Sequence, residues 1–176
     1  MRRNTRPTSL IILFAILASS IAATSAPVDP RIREIGRWPY GAAGTVTWDD
    51  DLLYFGTGSV LQVWRFTPPD ELDLVSEIRL AETAREIAVV DDLLFIAVGP
   101  AGFQIVDVHN PTSPAVVSST RAHGACLGIA VVDDIAWLAA WRSGVQAFDV
   151  SNPARPVRAS AVVPALEVIS VTAAED

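Results

Sequence analysis

The feature that most constrains this chain is an internal repeat. Ile87-Ala-Val-Val-Asp-Asp92 recurs as Ile129-Ala-Val-Val-Asp-Asp134, a shift of 42 residues. Gln104-Ile-Val-Asp-Val-His-Asn-Pro-Thr-Ser-Pro114 recurs as Gln146-Ala-Phe-Asp-Val-Ser-Asn-Pro-Ala-Arg-Pro156 at the same shift of 42. Gly102 matches Gly144, and Ser118 matches Ser160. Two long segments sharing one period without a gap make each period one supersecondary unit, stacked on its neighbours to bury a continuous core. A weaker copy precedes these. Thr45-Val-Thr-Trp-Asp-Asp50 is read 42 before Ile87, and Gln62-Val-Trp-Arg-Phe66 lies 42 before Gln104. There the Asn-Pro-x-x-Pro element has decayed to Thr67-Pro-Pro-Asp-Glu-Leu72.

Within each copy the apolar pattern is that of strands. Leu93-Leu-Phe-Ile-Ala-Val98 and Ile135-Ala-Trp-Leu-Ala-Ala140 are short continuous apolar runs between Asp-Asp and a Gly loop. Such runs mark strands covered on both faces. Gln104–Val108 supplies a further strand and Ala115–Ser119 an outer one, separated by Pro111 and Pro114, because proline cannot join a central ladder. Four antiparallel strands per unit of 42 residues, buried on both faces, predict an all-β fold of propeller blades. In this reading Trp137, matched to Phe95, is a core residue. Residues 73–86 contain good helix formers, but the alternation in Glu77-Ile-Arg-Leu80 favours a strand.

The motif residues Gly102–Pro114 and Gly144–Pro156, with the lead-in Gly124-Ala-Cys-Leu-Gly-Ile-Ala-Val131, resemble the LVIVD repeat. The resemblance implies an exported or surface β-propeller and attaches no general catalytic role to it. Its motif residues (Asp107, Asn110, Pro111, Pro114 and Asp149, Asn152, Pro153, Pro156) read as architectural. The aspartate carboxylate accepts backbone N–H groups of the following turn. Asn-Pro starts the turn, because a residue before proline is pushed out of the helical region.

The N-terminus reads as an address. Arg2, Arg3 and Arg6 precede an apolar run from Leu10 to Ala18, followed by small residues through Ala26, the pattern of a secretory signal peptide cleaved after Ser25 or Ala26. The stretch Leu10–Ala23 has 14 residues, too few for the roughly 20 that span a bilayer. No membrane span is therefore expected after cleavage, and the only cysteine, Cys126, is too far along to carry a lipid. Loss of residues 1–26 leaves 10 arginines against 20 acidic residues, a net charge near −10. That acidity excludes a nucleic-acid binder, which needs a basic face. The chain is expected outside the cytoplasm, as a periplasmic, cell-surface or secreted protein.

The remaining organisation is 27–44 as a partial outer strand, 45–86 as a degenerate repeat, 87–128 and 129–168 as full repeats, and 169–176 as the start of another. Residues 30–176 thus hold about 3.5 units, against about four to eight blades in closed propellers. The expectation is an incomplete propeller, a fragment of a longer one before an assembly closed by self-association.

Candidate sites are few. The recurring Asp49-Asp-Asp51, Asp91-Asp92 and Asp133-Asp134 could offer carboxylates to calcium, but they lack the alternating acidic spacing of a calcium loop and read as hairpin turns. His123 and Cys126 fall short of the three or four ligands zinc needs. No phosphate loop, nucleophile elbow or zinc-protease motif is present, so neither a catalytic residue nor a cofactor or metal site is assigned. Trp141 and Arg142 stand where the preceding copy has Gly99-Pro100. They are the candidate contact residues, because Trp and Arg anchor interfaces. The expectation is a non-enzymatic binding or scaffolding module with an unidentified extracytoplasmic protein or surface ligand as partner. The alternatives are an exported propeller enzyme, such as a hydrolase or quinone-dependent dehydrogenase, and a truncated product without independent function. The enzyme would need titratable groups on the innermost strands, which read as apolar in Ile87-Ala-Val-Val90.

Overall fold

The computed structural model describes residues 43–162 and 167–172. The segment read as a signal peptide, and most of the expected outer strand at 27–44, lie outside them.

Twelve strands form three separate four-stranded antiparallel sheets in chain order. The first holds β1 (Thr45–Asp49), β2 (Leu52–Thr57), β3 (Val60–Thr67) and β4 (Glu71–Arg79). The second holds β5 (Glu86–Val90), β6 (Leu93–Ala97), β7 (Phe103–Asp107) and β8 (Ala115–Thr120). The third holds β9 (Gly128–Val132), β10 (Ile135–Ala139), β11 (Val145–Asp149) and β12 (Val157–Val162). The first strands of successive sheets lie beside one another, β1 by β5 and β5 by β9. These are propeller blades, and the three described sheets do not close into a ring. The ambiguous segment after residue 71 is strand β4, whose Val75 and Ile78 pack against the core shared by the first and second sheets.

The continuous apolar runs resolve into two interleaved sets, because successive strand residues point to opposite faces. From β6 and β7, Leu94, Ile96 and Val106 join Tyr54, Leu61 and Val63 of the first sheet in one core. Their neighbours Phe95, Ala97, Phe103 and Ile105 join Ile129, Leu138 and Phe148 of the third sheet in a second core. Phe103 meets Phe148 edge-on at 5.2 Å between ring centroids, a geometry that aromatic rings favour. The second sheet thus has a trailing face toward the first sheet and a leading face toward the third.

Trp137 departs from the sequence reading. It is 36% exposed, whereas its equivalent Phe95 is 3% exposed. Phe95 is covered by the third sheet; Trp137 lies on the leading face of that third sheet, where no further sheet stands among the described residues.

The spacing of the first copy also differs. Its hairpin turn is Asp50-Asp51, because Asp49 pairs with Leu52. Val90 pairs with Leu93 around Asp91-Asp92, so the turns are offset by 41 before β2 and regain 42 only at Gln62 and Gln104. The cause is a Gly loop one residue shorter, Thr57–Val60 against Val98–Gly102. That shortening blurred the first copy in the sequence.

Three devices recur at the same place in every sheet. A bulge interrupts pairing of the third and outer strands after Val63, Ile105 and Ala147; bulges bend a strand and increase its twist. A left-handed residue in the Gly loop, Gly58 or Gly99, hydrogen-bonds the chain leading into the next sheet. Ala84 N–H donates to Gly58 O at 3.0 Å, and Gly99 and Cys126 exchange both backbone bonds at 3.0 and 2.9 Å. Finally, Gln62, Gln104 and Gln146 are buried in the third strands. Gln104 accepts from Ala81 N–H at 2.7 Å and donates to Ser119 at 2.8 Å. Gln146 accepts from His123 N–H at 3.1 Å and donates to His123 O at 2.6 Å. In these two sheets the amide holds the chain entering or leaving the blade. Truncating it would strand backbone groups without partners, so Gln146→Leu is expected to destabilise the protein by about 1–3 kcal/mol in chemical denaturation, although leucine is the more apolar residue.

Candidate functional site

The up-and-down topology sorts the loops between two ends of each sheet. The Asp-Asp turns and the Asn-Pro loops share one end; the Gly loops and the lead-in segments share the other.

At the first end the motif residues build turns. Asp107 Oδ1 accepts from His109 N–H at 2.8 Å, and Asp149 Oδ1 accepts from the N–H and hydroxyl of Ser151 at 3.0 and 2.6 Å. The two bonds from Ser151 hold the Asp149 carboxyl below its ordinary value. Asn110 Oδ1 accepts from Thr112 N–H and Asn152 Oδ1 from Ala154 N–H, both at 3.2 Å. Pro111 and Pro153 follow these asparagines, Pro111 O accepts from Ser76 of the first sheet at 2.6 Å, and Pro114 and Pro156 each stand one residue before the outer strand. Asp50, Asp91 and Asp133 have φ of 48, 50 and 49°, the left-handed conformation that Asp tolerates better than most residues. The acidic pairs are therefore hairpin turns, and among the described residues no group of three or more His, Cys, Asp or Glu could hold a metal ion. Cys126 is fully buried in the second core, its thiol pushed up to about 11 by burial. The His123 ring lies instead beside Arg158 at 3.3 Å.

The other end holds the two predicted contact residues. Trp141 occupies the left-handed loop position with φ 45°, where the second sheet has Gly99 at 54° and the first has Gly58 at 55°. Left-handed backbone costs roughly 1–2 kcal/mol for a residue with a Cβ, and a bulky side chain there is an outlier. The position keeps its structural duty, because Val168 N–H donates to Trp141 O at 3.1 Å, in the place where Gly99 bridges to Cys126. The indole stays 39% exposed. The Arg142 guanidinium stacks on it, 4.6 Å from the ring centroid, and Arg142 Nε–H donates to Glu167 Oε1 at 2.9 Å. Glu167 is held below the ordinary carboxylate range by Arg142 first and by a hydrogen bond from the Trp141 side chain second.

Glu167 was not singled out from sequence. Its signal was available: it immediately precedes Val168, which stands 42 after Cys126, so a lead-in at the Trp141 loop could have been inferred. The glutamines were visible at constant spacing but carried no recognised chemistry.

His109 and Asp92 form an exposed pair at the acidic end, Nδ1 to Oδ2 2.9 Å, and the hydrogen bond that the imidazole donates to Asp92 raises it above its ordinary value. The stability this pair adds is full just below the ordinary histidine value and is lost as pH rises through the elevated His109 value. Asp92→Asn is expected to return His109 toward the ordinary range, read by NMR titration of its ring protons.

Among curated proteins, none matches this sequence. Among the solved structures that share the fold are two computationally designed proteins. The computationally designed Ika4 protein gives a TM-score of 0.62 at 12% identity, covering 76% of this chain and 81% of Ika4. The computationally designed Ika8 protein gives 0.58 at 11% identity, covering 77% of this chain and 41% of Ika8. At these identities the likeness is one of fold alone. In sequence, the LVIVD repeat matches residues 81–121 and 123–162. These ranges contain the second and third sheets with their lead-ins, so over this part the chain is a propeller-like module of LVIVD repeats.

Proposed function

We propose that this module is exported and binds a partner outside the cytoplasm, presenting the Trp141–Arg142 loop from a rigid stack of blades. The observation that carries this reading is Trp141 itself. A position that glycine fills at no steric cost in the other two sheets holds a strained, part-exposed tryptophan with φ 45°. Strain of this kind clusters at functional sites, and Trp and Arg are both enriched at binding hot spots. The blades and motif turns hold the loop in place without contacting the partner. An exported enzyme is the second reading. It has less support, because the first strands β1, β5 and β9 carry only Asp49, at the hairpin turn, and Glu86 as titratable side chains, and the Glu86 carboxylate accepts the Ile129 N–H at 2.9 Å.

Trp141→Gly installs the residue of the other copies. Release of the strained backbone offsets the lost Arg142 stacking, so stability is expected to change by less than about 1 kcal/mol. Capture of the partner from extracytoplasmic extract is expected to fall at least tenfold. Unchanged capture would refute the role of the loop, and a large loss of stability would make Trp141 a structural residue.

Export has its own test. Expression in a secreting host followed by N-terminal sequencing is expected to give a mature chain starting at Ala26 or Pro27. A product that retains Met1–Arg6 in the cytoplasm would refute it.

A further inference from the structure

The binding reading leaves open what the loop recognises, and the arrangement around Arg142 narrows it. Arg142 is 73% exposed in its side chain. Of the five N–H donors of a guanidinium, only Nε–H is engaged among the described residues. The Arg142 Cζ lies over the Trp141 ring, 4.6 Å from its centroid, which limits the positions the two terminal nitrogens can take. A planar fork held in this way matches the paired oxygens of a carboxylate. The contact with Glu167, itself 52% exposed, is a surface ion pair, and such pairs contribute little and exchange readily.

The distribution of charge favours the same end. The Asp-Asp turns, with Asp107 and Asp149, concentrate carboxylates on the opposite end of the three sheets, where Arg65 and His109 pair with Asp51 and Asp92 and Arg155 stands in an Asn-Pro loop. The Gly-loop end carries Arg79, Arg85, Arg121 and Arg142 near Glu82, Glu86 and Glu167. On a chain with net charge −7, this end is the one a negatively charged segment can approach.

We propose that Arg142, oriented by Trp141, receives a carboxylate of an acidic peptide segment of the partner on its terminal nitrogens, and that the Glu167 carboxylate on Nε–H competes with it for the guanidinium charge. The inference rests on the binding reading above. Glu167 comes from the lead-in segment joined to the loop through the Trp141–Val168 bridge, so the competing carboxylate is built into the joint between repeats.

The test is titration of the purified full chain with a synthetic hexaglutamate peptide, following the Trp141 indole N–H and Arg142 Nε–H resonances by NMR. A parallel arm uses inorganic phosphate. Saturable shifts are expected with the peptide. Glu167→Gln keeps an oxygen for Trp141 but removes the competing charge, and is expected to tighten binding about two- to fivefold. Arg142→Gln is expected to abolish the shift, and Arg142→Lys to weaken it about tenfold, because lysine has the charge without the fork. Absence of a peptide shift, an equal response to phosphate, or a shift that survives Arg142→Gln would each overturn the proposal. If Trp141→Gly abolishes partner capture while Arg142→Gln leaves it intact, the acidic-segment inference fails and the binding reading stands.

Discussion

Everything in this molecule depends on sheets that are apolar on both faces. A four-stranded sheet with one wet face is stable once its other face is covered, but a sheet such as β5–β8 has two apolar faces and needs a neighbour on each. Leu94, Ile96 and Val106 have no use unless the first sheet stands behind them; Phe95, Phe103 and Ile105 have none unless the third stands in front. The blade arrangement satisfies both demands by repetition. Phe103 shows the scale involved: it is fully buried, and removing a buried aromatic ring costs about 3–5 kcal/mol.

Stacking twisted sheets at a constant angle requires each connection to repeat. The bulge after Ile105 and Ala147, the buried glutamine and the left-handed loop residue recur for that reason. Gly102 illustrates how little room is left. With φ at +91°, a Cβ there would sit 2.2 Å from the Thr120 carbonyl oxygen, so the outer strand passes directly over its backbone. Against such constancy, the replacement of glycine by Trp141 stands out, because it keeps the joint to Val168 and adds a side chain the joint does not need.

Much of this was legible in the chain. The period, the strand character of the apolar runs, the Asp-Asp turns and the Asn-Pro turns all follow from local chemistry repeated at one spacing. The resemblance to the LVIVD repeat agrees with the matches at 81–121 and 123–162. Two readings went astray for identifiable reasons. The first copy was aligned one residue off across its hairpin, because a single-residue shortening of the Gly loop leaves both flanking strands intact. Trp137 was placed in the core by its match to Phe95, but repeat equivalence transmits the position in the strand and says nothing of the neighbour across the face. Of the candidate site, Trp141 and Arg142 were visible as departures from the repeat. Glu167 was not, since its approach depends on where the lead-in crosses the loop.

By itself the sequence determined the strands, their alternation and the turns between them, since these depend on residue types a few positions apart. The tertiary structure alone decided which faces are covered, which glutamines clamp the crossing chain, and that Trp141, Arg142 and Glu167 meet. The physical reason is distance along the chain: Arg142 and Glu167 are 25 residues apart, and only the pairing of Trp141 with Val168 brings their charges within a hydrogen bond of each other.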